Sequence, residues 1–376
     1  MFLALRELRF ARVRFALVGA VVALIAVLMV MLSGLSVGLV RDGVSGLQNL
    51  PVTSFAFAHG VQHDSAFTRS VVEMSAVDVW RAQPGVADAA PFGNMLVNTR
   101  TDRGTEIDLA LFGVQADSFL APAVSAGDRL GSPDGIVVSP TALDAGLHIG
   151  DVVTVARLGT RLRVVGVTRQ QDTFGHVDVA YVPLPVWQAI KSDTTPGTAI
   201  PAHAAQEITA VAVRAGSGKS VRLAAGDAAA GTESLTLSQS YAASPGYTAE
   251  TTTLQLIQGF LYAISALVAG AFFAVWAIQR KQEVAVLRAL GASTGWVLRD
   301  ALTQAFVLLT GAVIVGVGIG LALGLYVAGS GAPFALSTPS ISTAAVALVA
   351  LGLIGASAAV IRLTSIDPAT ALGGNR

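Results

Sequence analysis

The sequence predicts a membrane α-helical protein with four transmembrane helices and an α+β extracytoplasmic domain inserted between helices 1 and 2. Three observations predict this fold class. Hydrophobic residues make up 53% of the 376 residues and charged residues only 13%, about half the charged share of a soluble protein. The apolar residues collect in long charge-free stretches. One long segment between two of these stretches has the composition of a soluble domain.

The charge-free stretches are long enough to cross a membrane, which takes about 20 apolar residues in a helix. The stretch from 301 to 361 is too long for one helix, and its glycines and prolines at 329–340 divide it in two. A cleaved signal peptide is the alternative for the first stretch, but a signal has an apolar core of only about 7–15 residues. The predicted spans are 15–40, 251–279, 301–328 and 341–361.

Basic residues near the membrane indicate the orientation, because they favour the cytoplasmic side. Four arginines lie in 1–14 and four basic residues in the link 280–300, and Arg362 and Arg376 follow the last span. The loop at 329–340 carries no charge. We therefore predict a multi-pass protein whose two termini, including the tail 362–376, are cytoplasmic and whose segment 41–250 lies outside.

The segment 41–250 has the pattern of a mixed α+β domain, because short β-type runs alternate with turn residues. About 200 residues suffice for an independent core. Residues 224–245 are rich in alanine, glycine, serine and threonine, and are interpreted as a loose connection. The predicted strands are 135–139, 151–155, 162–167, 177–182 and 208–213, and the predicted short helices are 139–147 and 184–190.

Composition and isolated motifs argue against several kinds of chemistry. The chain has no cysteine, which excludes disulfides, thiol nucleophiles and thiolate-held metals, and its net charge of zero gives no sign of nucleic-acid binding. The run Gly-Ser-Gly-Lys-Ser at 216–220 resembles part of a phosphate-binding loop, but Val213 stands where that motif requires glycine. We predict no catalytic residues and no enzyme activity in this chain.

The histidines give only weak signs of a metal site. His59 and His63 are four residues apart, yet Gly60 disfavours a helix there and no further ligands follow, so a solvated loop is the simpler interpretation. The other three histidines stand singly and are expected to be surface or core residues. They are His148, His176 and His203.

The link 280–300 carries the most informative pattern. The pattern predicts a short amphipathic helix at 282–290, Gly291 suits a helix end and Ser293 can cap the next helix. A short helix, a sharp corner and a new span are expected of a rigid lever that lies against a cytoplasmic partner. The alternative is an ordinary amphipathic linker in the headgroup layer.

These residues also resemble a known family. Glu-Val-Ala-Val-Leu-Arg-Ala-Leu-Gly-Ala-Ser at 283–293, directly after a span, looks like the signature of FtsX-like permeases, the superfamily of macrolide-exporter and lipoprotein-release permeases. Residues 1–14 resemble its amphipathic entry helix. Three runs resemble the family's extracytoplasmic core: Leu147-His-Ile-Gly-Asp-Val-Val, Leu162-Arg-Val-Val-Gly-Val and Ala180-Tyr-Val-Pro-Leu. The run Asp367-Pro-Ala-Thr-Ala-Leu372 resembles the family's usual ending after the last span.

The resemblance implies a bacterial cell-membrane permease that works as a homodimer with two copies of a separate ATPase subunit. ATP and Mg²⁺ would bind that ATPase, and this chain would hold no cofactor of its own. In the family the short helix of the link docks on the ATPase and transmits its motion mechanically. Carried over to this sequence, the coupling residues are Glu283, Val284, Ala285, Val286, Leu287, Arg288, Ala289, Leu290, Gly291 and Ala292.

The cargo is expected to be hydrophobic or amphiphilic, because no span contains a charge. Compact members of this length look most like bacterial haem-export permeases, and Met29 and Met31 fall in the outer half of the first span. Methionine adapts to irregular apolar ligands and can ligate haem iron, although two methionines in a helix also serve as packing. Haem is therefore the leading cargo hypothesis, and lipid or glycolipid is the alternative.

Two rival functions remain at this stage. The first is a signalling role, as in division-linked members of the family, in which ATP hydrolysis moves the outer domain to activate a cell-wall hydrolase. Those members usually have an outer domain smaller than 41–250. The second is a membrane anchor without an ATPase, which leaves the pattern at 283–292 unexplained.

Overall fold

The computed structural model describes residues 12–279, 286 and 293–364. Residues Val40–Glu250 form one compact unit, and the described residues on both sides of that segment form another. Four helices in the described part are long and apolar enough to cross a membrane, and an α+β domain lies in the sequence between the first and the second. The predicted fold class is confirmed.

Helices and strands are numbered in chain order over the described residues. The helices are α1 (Arg12–Gln48), α2 (Ala66–Arg69), α3 (Ser75–Arg81), α4 (Pro140–Asp144), α5 (Leu184–Lys191), α6 (Leu223–Ala230), α7 (Leu237–Ser240), α8 (Tyr247–Gln279), α9 (Thr294–Ala328) and α10 (Thr338–Thr364). The strands are β1 (Ser54–Ala58), β2 (Val72–Glu73), β3 (Val86–Thr101), β4 (Glu106–Val114), β5 (Val124–Gly127), β6 (Gly135–Val138), β7 (Val152–Val155), β8 (Arg161–Thr168), β9 (Thr173–Phe174), β10 (Val177–Pro183), β11 (Glu207–Ile208), β12 (Ala210–Ala215) and β13 (Thr232–Thr236).

The four long helices pack around an interior to which each of them contributes. Met29 of α1, Ala269 of α8, Leu309 of α9 and Leu348 of α10 are all buried in one cluster. Lipid tails are as apolar as these side chains, so helix association in a membrane depends on close packing more than on hydrophobic burial.

Small residues supply that close packing between α1 and α9. Gly316 of α9 lies against the backbone of Ala23 in α1, so a Cβ atom at Gly316 would come within 2.3 Å of the Ala23 carbonyl oxygen. One turn later, Gly320 lies against Val30 of α1. The spacing Gly-x-x-x-Gly places both glycines on one helix face and lets the two backbones approach each other.

The connection between α9 and α10 packs on the same helix. The backbone N–H of Ala335 donates to the carbonyl oxygen of Gly34 at 3.0 Å. The ring of Phe334 lies over Gly34, where a Cβ atom would be only 2.2 Å from the ring. The loop 329–337 is therefore held against α1 by a hydrogen bond and by close contact with a glycine.

The α+β domain is built on one large sheet. Eleven of the described strands pair in the order β13-β1-β12-β3-β4-β10-β6-β8-β5, with β7 beside β3 and β8, and with β9 beside β10. The long strand β3 joins the two parts of the sheet, because its first half pairs with β12 and its second half with β4. Strands β11 and β2 form a separate pair.

Both faces of this sheet are buried, as the alternation of side chains along its strands requires. In β4, Leu109 and Leu111 belong to one apolar cluster, whereas Phe112 belongs to the other. The first cluster contains Trp80 and Trp187 of the short helices. The second is rich in phenylalanine, and rings such as those of Phe92 and Phe112 meet edge to face, with centroids 5.0 Å apart.

The predicted strand at 208–213 is two strands in the structure. Ile208 ends β11, which pairs with β2, whereas β12 begins at Ala210 in the large sheet. Thr209 makes the change of sheet, because its N–H donates to the Phe92 carbonyl at 3.0 Å and its hydroxyl accepts from the Asn94 N–H at 2.9 Å. A continuous apolar run conceals such a break.

The interpretation of 224–245 as a loose connection is wrong, because this segment forms α6, β13 and α7. Asp227 accepts hydrogen bonds from the Thr232 hydroxyl at 2.8 Å and from the Ser234 hydroxyl at 2.6 Å. The indole N–H of Trp80 donates to Thr232, 3.1 Å away. The small residues form a folded segment because the local hydrogen bonds of Asp227 and the contact with the distant Trp80 compensate for their lack of apolar bulk.

The α1–α9 contact predicts that substitutions at two glycines of α9 change the stability of the protein to different extents. Leucine at Gly316 meets the α1 backbone and should destabilise the protein by about 1–3 kcal/mol through overpacking. Leucine at Gly318, where no atom lies within 4 Å of a new Cβ, should cause no loss. Thermal unfolding in nanodiscs measures both, and equal losses would contradict close packing at Gly316.

Candidate functional site

The predicted coupling residues 283–292 lie outside the described residues, except for Val286. Val286 is helical, and 56% of its surface is exposed. The next described residue, Ser293, caps α9, because its hydroxyl accepts a hydrogen bond from the Trp296 N–H at 3.2 Å. The predicted cap at Ser293 is confirmed, and the docking role of 283–292 stays a prediction.

The two methionines proposed as cargo ligands have different surroundings in α1. Met29 is only 1% exposed and packs in the interior of the four helices, whereas Met31 is half-buried. Residues two apart on a helix point about 200° apart, so the two side chains do not share a face. A ligand at Met29 therefore requires the surrounding helices to separate, whereas Met31 can be reached without that movement.

The other sequence motifs lie at the surface of the α+β domain. Residues 217–220 of the Gly-Ser-Gly-Lys-Ser run form an exposed turn after β12, with the Lys219 N–H donating to the Gly216 carbonyl. His59 is exposed, and His63 lies 2.6 Å from Glu233. No group of three histidine, aspartate or glutamate side chains suited to a metal ion occurs among the described residues.

A site that the sequence did not indicate lies within the unit Val40–Glu250, among the last turns of α1, the first turn of α8 and the sheet. Helix α1 does not end at the charged residues Arg41 and Asp42 but continues to Gln48. Its last turns lie on the phenylalanine-rich face of the sheet, where Val44 and Leu47 are fully buried. Burial of two such side chains contributes about 1.5–3 kcal/mol each.

Gly46 permits this contact between helix and sheet. A Cβ atom at Gly46 would lie 2.9 Å from Val179 and 3.1 Å from the Thr173 carbonyl. Any larger residue would therefore lift the helix from the sheet, and the close approach explains why glycine occupies a helical position here despite its low helix propensity.

Hydrogen bonds between α1 and the hairpin of β9 and β10 surround that contact. The buried Ser45 hydroxyl accepts from the Thr173 N–H at 2.9 Å and lies 2.7 Å from the Thr173 hydroxyl. The Asn49 amide donates to Asp172 at 2.7 Å. Burial raises the pKa of Asp172, and its hydrogen bonds with Asn49 and Thr168 oppose that rise.

The hairpin turns at Gly175 and His176, with Phe174 paired to Val177. Both turn residues have positive φ, 58° for Gly175 and 64° for His176. Two positive values in a two-residue loop are typical of a type I′ turn, which matches the twist of the strands. The Gly175 N–H donates to the Gly43 carbonyl of α1 at 2.9 Å, so the tip of the turn is held on the helix.

His176 links the end of α1 to the start of α8. Its Nδ1 lies 2.9 Å from Asp42 Oδ2, and its Nε2 lies 3.0 and 3.1 Å from the two oxygens of Glu250. Burial lowers the pKa of His176, but the hydrogen bond to Asp42 and the charge of Glu250 outweigh it, so the pKa lies above its usual value.

This site escaped sequence reasoning because its members lie far apart in the chain. Asp42 and His176 are 134 residues apart, and His176 and Glu250 are 74 apart. The interpretation of His176 as an isolated residue is therefore incomplete. The signal available in the sequence was Gly175 shortly before the β-type run 177–182, because glycine marks turns.

Several known proteins are similar to this chain in sequence. Residues 256–368 match the family model described as the FtsX-like permease C-terminal domain. A protein of Staphylococcus epidermidis named as the hemin transport system permease HrtB is 25% identical over all of this chain and 99% of its own length. An uncharacterized ABC transporter permease of Mycobacterium tuberculosis is 26% identical over the same shares of the two chains.

Two solved outer domains are also similar. The periplasmic region of MacB from Actinobacillus actinomycetemcomitans has a TM-score of 0.36 at 13% identity, covering 53% of this chain and 92% of that one. The extracellular domain of the transporter YknZ from Gram-positive bacteria has a TM-score of 0.33 at 14% identity, covering 49% of this chain and 98% of that one.

The described residues form four helices that are long and apolar enough to cross a membrane, with an α+β domain inserted after the first. The family-model match covers residues 256–368, and the similarity to named permeases extends over the full chain. The chain is therefore similar to ABC transporter permeases of the FtsX-like type.

The hydrogen bond at the base of the domain predicts a stability effect. Ser45→Ala leaves the buried Thr173 N–H without its acceptor and should lower the stability of the full chain by about 1–3 kcal/mol. Ser217→Ala, on an exposed turn, is the matched control and should change little. Thermal unfolding compares the two, and an unchanged Ser45→Ala protein would show that the contact is dispensable.

Proposed function

We propose that this chain is the membrane-spanning subunit of an ATP-driven exporter, acting with two copies of a separate ATPase that binds ATP and Mg²⁺. The observation that carries the proposal is the FtsX-like match at 256–368, which begins in α8 and includes the link and both later spans. The full-length similarity to named ABC permeases supports it. The chain itself performs no catalysis in this proposal.

The ATPase docks on the short helix 283–292 in this proposal. The sequence pattern supports this role, as does the cap at Ser293, which lets a new helix begin directly after the corner. Exposed Val286 offers an apolar contact for the partner. Closure of the ATPase dimer would push on this link, which is cytoplasmic in the predicted orientation.

In this proposal two copies of the chain form a homodimer through their membrane helices. Helix α8 supports this idea, because several of its large apolar side chains remain uncovered by the other helices. Phe260 is 66% exposed and Leu267 is 72% exposed. A second copy of α8 would cover part of this surface, and lipid would cover the rest.

Haem is the cargo we propose, and lipid or glycolipid is the alternative. The similarity to proteins named as hemin transport permeases supports haem, although at only 24–26% identity. Met29 and Met31 would be its candidate ligands through their thioether sulfur atoms. Of the two, the half-buried Met31 is accessible in the described conformation, whereas Met29 becomes so only when the bundle opens.

Two changes in the link test the proposed coupling. Glu283→Lys reverses a charge on the docking surface, and Val286→Pro breaks its helix at a cost of about 3 kcal/mol. Both should reduce ATP-driven haem efflux to background while membrane insertion stays normal.

Glu73→Lys, an exposed charge reversal in the α+β domain, is the control and should transport normally. Normal efflux by both link variants would contradict the docking role. Haem-independent ATPase activity together with stable binding of a cell-wall hydrolase to the outer domain would favour the signalling function instead.

Haem titration tests the cargo and its ligands. Purified protein should shift the Soret band of added haem, and Met29→Leu or Met31→Leu should weaken binding at least about tenfold, or about 1.4 kcal/mol. Met95→Leu in the α+β domain is the matched control. An unshifted Soret band would exclude haem, and normal binding by both variants would exclude methionine ligation.

A further inference from the structure

His176 occupies a backbone position that most residues avoid. Its φ of 64° lies in the left-handed region, where histidine, asparagine and aspartate are tolerated better than other side chains but glycine is relaxed. Among the described residues, Asp193 is the other non-glycine residue with positive φ. Glycine at this position would relieve the backbone strain, so the presence of histidine indicates that the imidazole side chain has a function.

The contacts of the imidazole define that task. Asp42 faces Nδ1 and Glu250 faces Nε2, each within 3.1 Å. An ionised carboxylate only accepts hydrogen bonds, whereas a neutral imidazole has one donor nitrogen and one acceptor nitrogen. Both contacts are satisfied together only when the ring is doubly protonated. A neutral ring would direct a lone pair at one of the carboxylates.

Asp42 of α1 and Glu250 of α8 are the charged groups that raise the pKa of His176. The neighbouring elements also carry Arg41 on α1, Asp178 on β10 and Asp172 directly before β9. Asp178 is partly buried and accepts a hydrogen bond from the Thr141 hydroxyl. The neighbourhood is predominantly acidic, which favours the imidazolium ion.

We propose that Asp42, His176 and Glu250 form a proton-dependent latch that ties the first turn of α8 to the last turns of α1 inside the α+β domain. In the closed state both ring nitrogens donate, one to each helix. Loss of one ring proton releases one of the two carboxylates, and the two helix segments are then free to separate. The other hydrogen bonds of the hairpin keep His176 on α1, so the contact with Glu250 is the one that opens.

The direction of the pH effect follows from the raised pKa of His176. The latch is fully closed below the ordinary histidine pKa of about 6.5 and opens as the pH rises through the raised value. The latch is a property of the α+β domain and does not depend on the cargo. Its further role as a gate on the movement of α1 and α8 rests on the proposed function.

Spin labels on the two helix segments can test the latch. The chain has no cysteine, so Gln48→Cys and Thr248→Cys introduce the sole labelling sites, one exposed position on each segment. Labelled chain is diluted with unlabelled chain in nanodiscs, so that each distance reports on one molecule. We expect one narrow distance distribution at about pH 5.5 and an added longer distance at about pH 8.5, on either side of the histidine pKa.

His176→Asn is the decisive variant, because asparagine tolerates the left-handed turn but cannot bridge two carboxylates. It should show the longer distance at both pH values, and Glu250→Gln should reduce the pH dependence. Asp193→Asn, the same kind of change at the other left-handed position, and His148→Gln, at an exposed histidine beside Asp151, should behave as the parent protein.

A narrow distribution in His176→Asn at both pH values would overturn the latch, as would a parent protein whose distances do not change with pH. Neither result would affect the proposed transport function, which is tested by haem efflux and by the link variants. If the link variants lose haem efflux but keep the pH-dependent distance change, the latch is supported independently of the transport function.

Discussion

The docking of the last turns of α1 onto the phenylalanine-rich face of the sheet is the contact on which the architecture of the α+β domain depends. Val44 and Leu47 complete an apolar cluster that the strands alone leave open. Gly46 lets the helix lie directly on β9 and β10. The same helix whose earlier residues are suited to lipid thus ends as part of a soluble core. The hairpin that receives it also positions His176 against Asp42 and Glu250.

Much of this fold could be predicted from the sequence, because the membrane imposes strong constraints. Charge-free length identified the four long apolar helices, and alternation with turn residues identified β6, β8 and β10. The end of α1 was not predictable in this way. Arg41 and Asp42 end a lipid-compatible stretch, but a charged residue does not end a helix when a protein surface continues beyond it. Only tertiary packing keeps the chain helical to Gln48.

The errors in the α+β domain have a related cause. Propensity cannot show that Thr209 sends one apolar run into two sheets, nor that Asp227 and Trp80 give order to a segment of small residues. The site at the base is harder still, because its three members come together only through the fold. Sequence spacing can identify a motif when chemistry requires neighbouring residues, and it fails when the neighbours are distant in the chain.

Close packing of the long helices and binding of the proposed cargo place opposing demands on α1. Close contacts of α1 with Gly316 and with Phe334 favour a tightly packed bundle, whereas access of a flat apolar ligand to Met29 needs that packing to loosen. ATP-driven movement of the helices would reconcile the two demands. The proposed function therefore predicts that haem and the ATPase affect each other's binding or activity.

The most direct test of this account is the ATPase activity of the chain co-purified with its partner ATPase in nanodiscs, with and without haem. The account predicts that haem raises the rate of ATP hydrolysis and that Glu283→Lys in the link removes this stimulation. A stable complex whose ATP hydrolysis is the same with haem, without haem and with the altered link would contradict it.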